Sequence, residues 1–278
     1  MRSVDPKLYK KSYYLTDCAG YNEFKRSKGE ILDPRLSLLV RKIPIKKEMR
    51  VIDIGCGRGE LVFWAARKGA TCVGIDYAEH AIKLAKDTLK DKNQKVKKRC
   101  DFITMNAKEL KFPDASFDLV LAVEVIEHLY PEEWEKVLPE VKRVLKPGGT
   151  LFFHTEPNRF FNDLTYRLYS YPVGSFLILL SNAITKGKYP PMVPPGKIRS
   201  DSQRMMHVNE VNYHYLRKSL EKFGFKGRIY STNIVHSKPI LSWKDRIFNI
   251  LVFLYPLSLF PPLNIIFGQD FYSQAKQK

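Results

Sequence analysis

The chain has 278 residues, 47 Lys+Arg against 29 Asp+Glu and a formal net charge of +18, with 44% hydrophobic residues. That length buries a full core, as one large domain or one domain with insertions. Four cysteines, Cys18, Cys56, Cys72 and Cys100, form no C-x-x-C pair, which favours free thiols in a reducing, cytoplasmic compartment over disulfides or structural zinc; an N-terminus without an apolar stretch argues against a cleaved secretory signal.

The charge is unevenly placed. Residues 1–50 carry 13 Lys+Arg against 6 Asp+Glu, residues 51–150 carry 17 against 16, and residues 151–278 carry 17 against 7. A nearly neutral centre with basic flanks points to an acidic partner: an anionic phospholipid surface, nucleic acid or an anionic small molecule. Ordinary solubility is the plainer account of the same excess.

Residues 1–29 interleave Tyr9, Tyr13, Tyr14, Tyr21 and Phe24 with lysines at weak helical periodicity, and read either as a flap over a ligand or as surface packing. Asp33 to Lys42 reads as a helix packing Leu36, Leu38, Leu39 and Val40. Val51 to Glu60, VIDIGCGRGE, then predicts a buried parallel strand, a glycine-rich turn and a helix start. Gly55, Gly57 and Gly59 permit a sharp turn and close approach of a ligand, and the helix offers free N–H groups. The dinucleotide fingerprint G-x-G-x-x-G would need glycine where Glu60 stands; the pattern present is D-x-G-x-G-x-G, counted from Asp53.

A helix over Leu61 to Lys68 and a strand over Thr71 to Asp76 follow, then a helix over Ala78 to Leu89 and strands over Asp101 to Asn106 and Phe117 to Val123. Glu124 to Leu129 reads as a helical turn, Trp134 to Leu145 as an amphipathic helix stopped by Lys146-Pro147-Gly148-Gly149, and Thr150 to Thr155 as the fifth strand. Farther on come a helix over Glu210 to Phe223, a sixth strand around Gly227 to Thr232 and a last strand over Gln269 to Ala275.

The D-x-G-x-G-x-G turn in this setting resembles motif I of the class I S-adenosylmethionine-dependent methyltransferases, of the type 11 and ubiquinone-pathway O-methyltransferase kind. The resemblance runs from Arg50 to Pro157 and more weakly from Asn209 to Phe225. It implies an α/β, Rossmann-like, doubly wound seven-stranded sheet, mostly parallel with an antiparallel last strand, with apolar insertions at the substrate edge. It also implies S-adenosylmethionine as cofactor. Asp53, Gly55, Cys56, Gly57 and Gly59 would meet its amino-acid end, Asp76 the ribose hydroxyls, Tyr77 with Asn106 and Ala107 the adenine, and backbone near Val123 and Glu124 the rest. Asp76 can equally cap the helix that follows it. His128 is the catalytic candidate.

The phrase EVIEH permits another reading. In a helical turn Glu124, Glu127 and His128 share one face, and E-x-x-E-H resembles metal-using O-methyltransferases; His207 would then be a fourth ligand for Mg²⁺. The same phrase also occurs in metal-free members.

Two blocks are left over. Residues 158–206 hold an aromatic-apolar run broken by Pro172 and Gly174, and Ile247 to Phe267 are 21 residues without charge, cut by Pro256, Pro261 and Pro262. The second block reads as a bilayer span, as a helix lying in a membrane interface with Trp243, Lys244 and Arg246 at headgroup level, or as a dry lid or dimer contact. The chain therefore divides as one domain: flap and helix (1–49), cofactor core (50–157), substrate lid (158–206), helix and sixth strand (207–236), apolar insertion (237–267) and last strand (268–278). The function expected is methylation, by O-methylation, of a membrane-proximal or apolar small-molecule or lipid acceptor by a protein peripheral to the membrane. The alternatives are an RNA or protein methyltransferase and a non-catalytic S-adenosylmethionine-binding subunit.

Overall fold

The computed structural model describes residues 3–10, 12–185, 189–233 and 242–277. The expected junction between residues 236 and 237 lies outside them. Two short helices precede the sheet, α1 (Tyr21–Ser27) and α2 (Pro34–Leu39). The Asp33 carboxylate starts α2 by accepting from the N–H groups of Arg35 (2.8 Å) and Leu36 (3.2 Å), with Pro34 just inside the helix. The predicted helix to Lys42 is present, its final turn tightened to a 3-10 turn over Val40–Lys42.

Next come β1 (Arg50–Ile54), α3 (Glu60–Arg67), β2 (Thr71–Asp76), α4 (Glu79–Leu89), α5 (Gln94–Lys97), β3 (Cys100–Thr104), β4 (Phe117–Val123), α6 (Pro131–Val144) and β5 (Leu145–Thr155). The remainder supplies α7 (Tyr171–Thr185), α8 (Asp201–Met206), α9 (Tyr213–Lys222), β6 (Phe225–Lys226), β7 (Ile229–Tyr230), α10 (Trp243–Phe253), α11 (Leu263–Phe267) and β8 (Phe271–Gln277). The sheet order is β3-β2-β1-β4-β5-β8-β6, with β7 also on β8. Strands β1 to β5 are parallel, and β8 runs antiparallel to β5, β6 and β7. This is the expected Rossmann-like sheet with one difference. The predicted sixth strand is split into β6 and β7, whose register against β8 continues unchanged across the break. A Cβ on Gly227 would lie 2.8 Å from the Ala275 backbone, and the Ser273 hydroxyl donates to the Arg228 carbonyl (2.9 Å). The last strand starts at Phe271, because the Gln269 N–H donates to Asn233 Oδ1 and the Asp270 carboxylate accepts from the Thr232 and Asn233 N–H groups.

Strand alternation sorts the core into two layers. Val51, Leu119, Leu121 and Phe152 face α2 and α3, while Ile52, Ile54, Val120, Ala122, Leu151 and Phe153 face α6 and α9. The strand order reverses between β1 and β4, which opens a crevice at their carboxyl ends, where ligands bind in such sheets. The two inserted blocks interlock beyond β5. Thr165 Oγ1 donates to the Ile266 carbonyl (2.7 Å), Tyr169 Oη to Leu251 (2.8 Å) and Ser170 Oγ to Val252 (2.9 Å), and α7 packs on α10. Among the described residues no helix is long and apolar enough to cross a membrane.

Candidate active site

A cavity of about 280 Å³ occupies the crevice, near the lower end of the roughly 300–1,000 Å³ usual for small-molecule sites. Its floor is the glycine turn and the ends of β1, β2 and β4; its roof is the N-terminal segment, with Val4, Tyr9, Tyr13 and Tyr14 on its lining. Every predicted cofactor residue lines it except Gly59.

The three turn glycines have positive φ but different neighbours. A Cβ on Gly55 would stand 2.6 Å from Val125 and one on Gly59 2.7 Å from Phe102, so both are glycine for packing. Gly57 faces the cavity, its would-be Cβ 3.8 Å from Tyr14, and leaves room for a ligand against the backbone. Its N–H donates to Asp76 Oδ2 (3.1 Å), while Asp76 Oδ1 accepts from the Ala78 N–H (2.9 Å). Asp76 thus ties the glycine turn to the turn ahead of α4 and lines the cavity, but it does not cap α4, whose N-cap is Ala78 without a side-chain bond. Burial pushes its carboxyl up to about 6, against the pull of those N–H groups. Asp53 and Cys56 are also raised by burial and by neighbouring carboxylate charge.

At the opposite end Tyr77 packs edge-on against Tyr9, ring centroids 5.4 Å apart. Asn106 Oδ1 accepts from the Lys108 N–H (3.0 Å), which holds the loop that carries Ala107 to the cavity.

The expected helical turn after β4 is instead a 3-10 turn over Ile126–His128, entered through Glu124 at φ +57. This left-handed residue breaks the i, i+3, i+4 alignment, and the predicted metal set comes apart. Glu124 Oε1 lies 2.5 Å from Arg35 Nη1; Glu127 is buried and accepts from Thr155 Oγ1 (2.9 Å). His128 Nδ1 is 3.0 Å from Tyr9 Oη and 3.2 Å from the Met206 carbonyl, and His207 meets His128 ring edge to ring face at 4.9 Å. Among the described residues no group of three or more His, Cys, Asp or Glu side chains could hold a metal ion. The Mg²⁺ reading of Glu124, Glu127, His128 and His207 is therefore corrected: Glu124 pairs with Arg35 and Glu127 with Thr155, while the two imidazoles pack on each other.

A carbonyl oxygen cannot donate, so the Met206 contact assigns the imidazole proton of His128 to Nδ1 and leaves the Nε2 lone pair available. Burial holds this imidazole down to about 4, neutral at physiological pH. The same burial, with the Glu124 charge, pushes Glu127 up to about 8.

Sequence reasoning missed two arginines. Arg35 lines the cavity and pairs with Glu124 and, at 3.5 Å, with Glu156 Oε1. Arg58 is buried, bonds Glu60 through Nε and Nη2 (3.0 and 3.1 Å), and donates to the Tyr14 and Ala19 carbonyls (3.1 and 2.6 Å). A signal existed for Arg35: a cation in the first turn of a helix opposes the helix dipole and needs a reason. The inserts expected at the substrate mouth do not line the cavity; among its lining residues none comes from 158–267. They reach its wall through Met206, which packs with Val4, Tyr9 and Tyr14.

Residues 52–153 match the family described as a methyltransferase domain. The chain is 28% identical over 193 residues to a ubiquinone biosynthesis O-methyltransferase of Coxiella burnetii, covering 67% of this chain and 76% of that protein. It is 37% identical over 114 residues to the 27-O-demethylrifamycin SV methyltransferase of Amycolatopsis mediterranei, covering 41% of this chain and 40% of the relative. The crystal structure of a SAM-dependent methyltransferase from Methanosarcina mazei shares the fold, with a TM-score of 0.52 at 20% identity over 86% of this chain and 96% of that one. With the sheet order and the D-x-G-x-G-x-G turn, these likenesses make residues 52–153 a methyltransferase domain of the class I S-adenosylmethionine-dependent kind.

Proposed function

We propose that the enzyme methylates an oxygen of an apolar small-molecule or lipid acceptor presented at a membrane surface. The observation that carries this reading is the neutral His128 imidazole on the wall of the cavity that contains the glycine turn and Asp76. S-adenosylmethionine supplies an electrophilic methyl on a sulfonium, so the protein's tasks are alignment and, for a hydroxyl acceptor, proton removal.

The cavity fits that cofactor. The open side of Gly57 admits a ligand to the backbone, and Arg35 Nε is a buried donor without a protein partner, suited to a carboxylate. Arg35 with Asp53, Gly55 and Gly57 would hold the amino-acid end, Asp76 the ribose hydroxyls, and Tyr77, Asn106 and Ala107 the adenine. His128 Nε2 accepts the acceptor's proton, while Tyr9 and Met206 fix the ring.

An oxygen acceptor is supported by the printed activities of the Coxiella and Amycolatopsis relatives, both O-methyl chemistry on small molecules. A lipid-like acceptor is supported by the basic and apolar character of the inserted blocks. Incubation of labelled donor with separated lipid, RNA and protein fractions tests the reading. Label in an apolar small-molecule or lipid product supports it. Label in RNA or protein overturns the acceptor class, and donor binding without turnover of any fraction identifies a non-catalytic binding subunit.

A further inference from the structure

The inserted helices present their apolar sides outward. On α7 the exposed residues are Pro172, Phe176, Leu179, Leu180, Ala183 and Ile184, an i, i+4, i+7, i+8 stripe along one face, while Gly174 is buried and Asn182 bonds Tyr189. On α10 the stripe Trp243, Ile247, Ile250 and Leu251 repeats the spacing. Ile184 is 79% exposed, Leu179 70% and Trp243 67%. Of the eighteen large hydrophobic residues exposed among the described residues, fifteen lie in residues 158–267 and none in residues 50–157. Helices α7 and α10 pack on each other, and bonds from Tyr169 and Ser170, just ahead of α7, to the Leu251 and Val252 carbonyls fasten them, so both apolar stripes sit on fixed helices.

We infer that this face is where the enzyme docks on an anionic lipid bilayer. It deepens the lipid-acceptor reading, on which it rests for its purpose but not for its observations. Charge selects the occupant. Residues 158–206 and 237–267 together carry 10 Lys+Arg and 3 Asp+Glu, which complement anionic headgroups and oppose the approach of a second copy of a chain bearing +18. At the start of α10 the Lys244 ammonium lies 5.8 Å from the Trp243 ring centroid, pairing an aromatic anchor with a cation at the depth where headgroups sit. The helical run that ends in α7 begins at Arg159 and carries Arg159, Asp163 and Arg167, no described helix is long and apolar enough to span a bilayer, and α7 has the outward apolar stripe of a helix lying in its surface. Met206, at the end of the same inserted block as α7, bonds His128 through its carbonyl.

The test is flotation of the full chain, without methyl donor or acceptor, on vesicles of equimolar phosphatidylcholine and phosphatidylglycerol and on phosphatidylcholine alone. The wild type floats with the anionic vesicles and is released by high salt, and L179S/I184S, which removes exposed apolar groups only, lowers partitioning tenfold or more. Calorimetry with S-adenosylhomocysteine gives the same affinity for both proteins and shows that the variant is folded. Wild type left at the bottom of the gradient, a variant that floats equally well, or a wild-type dimer that L179S/I184S dissociates in sedimentation velocity would each overturn the docking face. Flotation without label transfer to any lipid fraction overturns the acceptor reading and leaves the docking face standing; transfer to lipid without flotation does the reverse.

Discussion

The floor of the cavity and its roof are built on different principles. The floor is a sheet edge whose residues are positioned by neighbours close in sequence: Gly57 lies in the turn after β1, Asp76 ends the adjacent β2, and the Gly57 N–H donates to the Asp76 carboxylate. The roof is a segment of tyrosines held by partners far along the chain, such as Tyr9 on His128, 119 residues away. A floor of this kind suits the methyl donor that the methyltransferase family shares, whereas a roof of this kind can be shaped to the molecule being modified.

This contrast is tested most severely at His128, the wall residue after β4 that the roof touches. His128→Asn should lower kcat by about 10²–10⁴-fold, the usual worth of a general base, with S-adenosylhomocysteine affinity unchanged in calorimetry. A loss of cofactor binding instead would place His128 in the cofactor site alone. Asp76→Ala should weaken cofactor binding by about 10²-fold, as expected for losing charge-assisted bonds to two hydroxyls, while kcat at saturating donor changes little.

Acid separates the two surfaces again. With Asp76 on the ribose as proposed, its carboxyl, raised to about 6, offers charge-assisted acceptance through both oxygens only when ionised, so donor affinity should be flat above neutrality and fall by up to roughly tenfold per pH unit below about 6. His128, lowered to about 4, keeps its neutral form through that range, so KM for the donor rises before kcat falls. A pH profile in which both change together would break the distinction. The smallest effect belongs to Tyr9→Phe, which removes one bond to His128 Nδ1 and should cost about 3–10-fold in kcat and nothing in cofactor affinity, in keeping with about 1 kcal/mol for a neutral hydrogen bond.

The same division explains what the sequence made legible. Asp53, Gly55, Gly57 and Asp76 could be placed because local spacing determines a strand, a turn and the next strand end. Gly59 belongs to the same phrase but packs on Phe102, a contact that spacing cannot reveal. The metal reading failed at a single backbone angle: with Glu124 at φ +57 the two carboxylates go to Arg35 and Thr155, away from the paired imidazoles, and no propensity assigns a glutamate that conformation. The tyrosine-rich segment offered no periodicity because its positions are set by tertiary contacts, and the outward apolar stripes of α7 and α10 became visible only once the solvent side of each helix was known.

The grip of Arg58 has one further consequence. It holds the segment above by main-chain oxygens of Tyr14 and Ala19, which every residue type provides. Side chains along that cover can therefore be exchanged without loosening the clasp. Descendants of this scaffold are free to acquire new acceptors while the machinery for the methyl donor stays as it is.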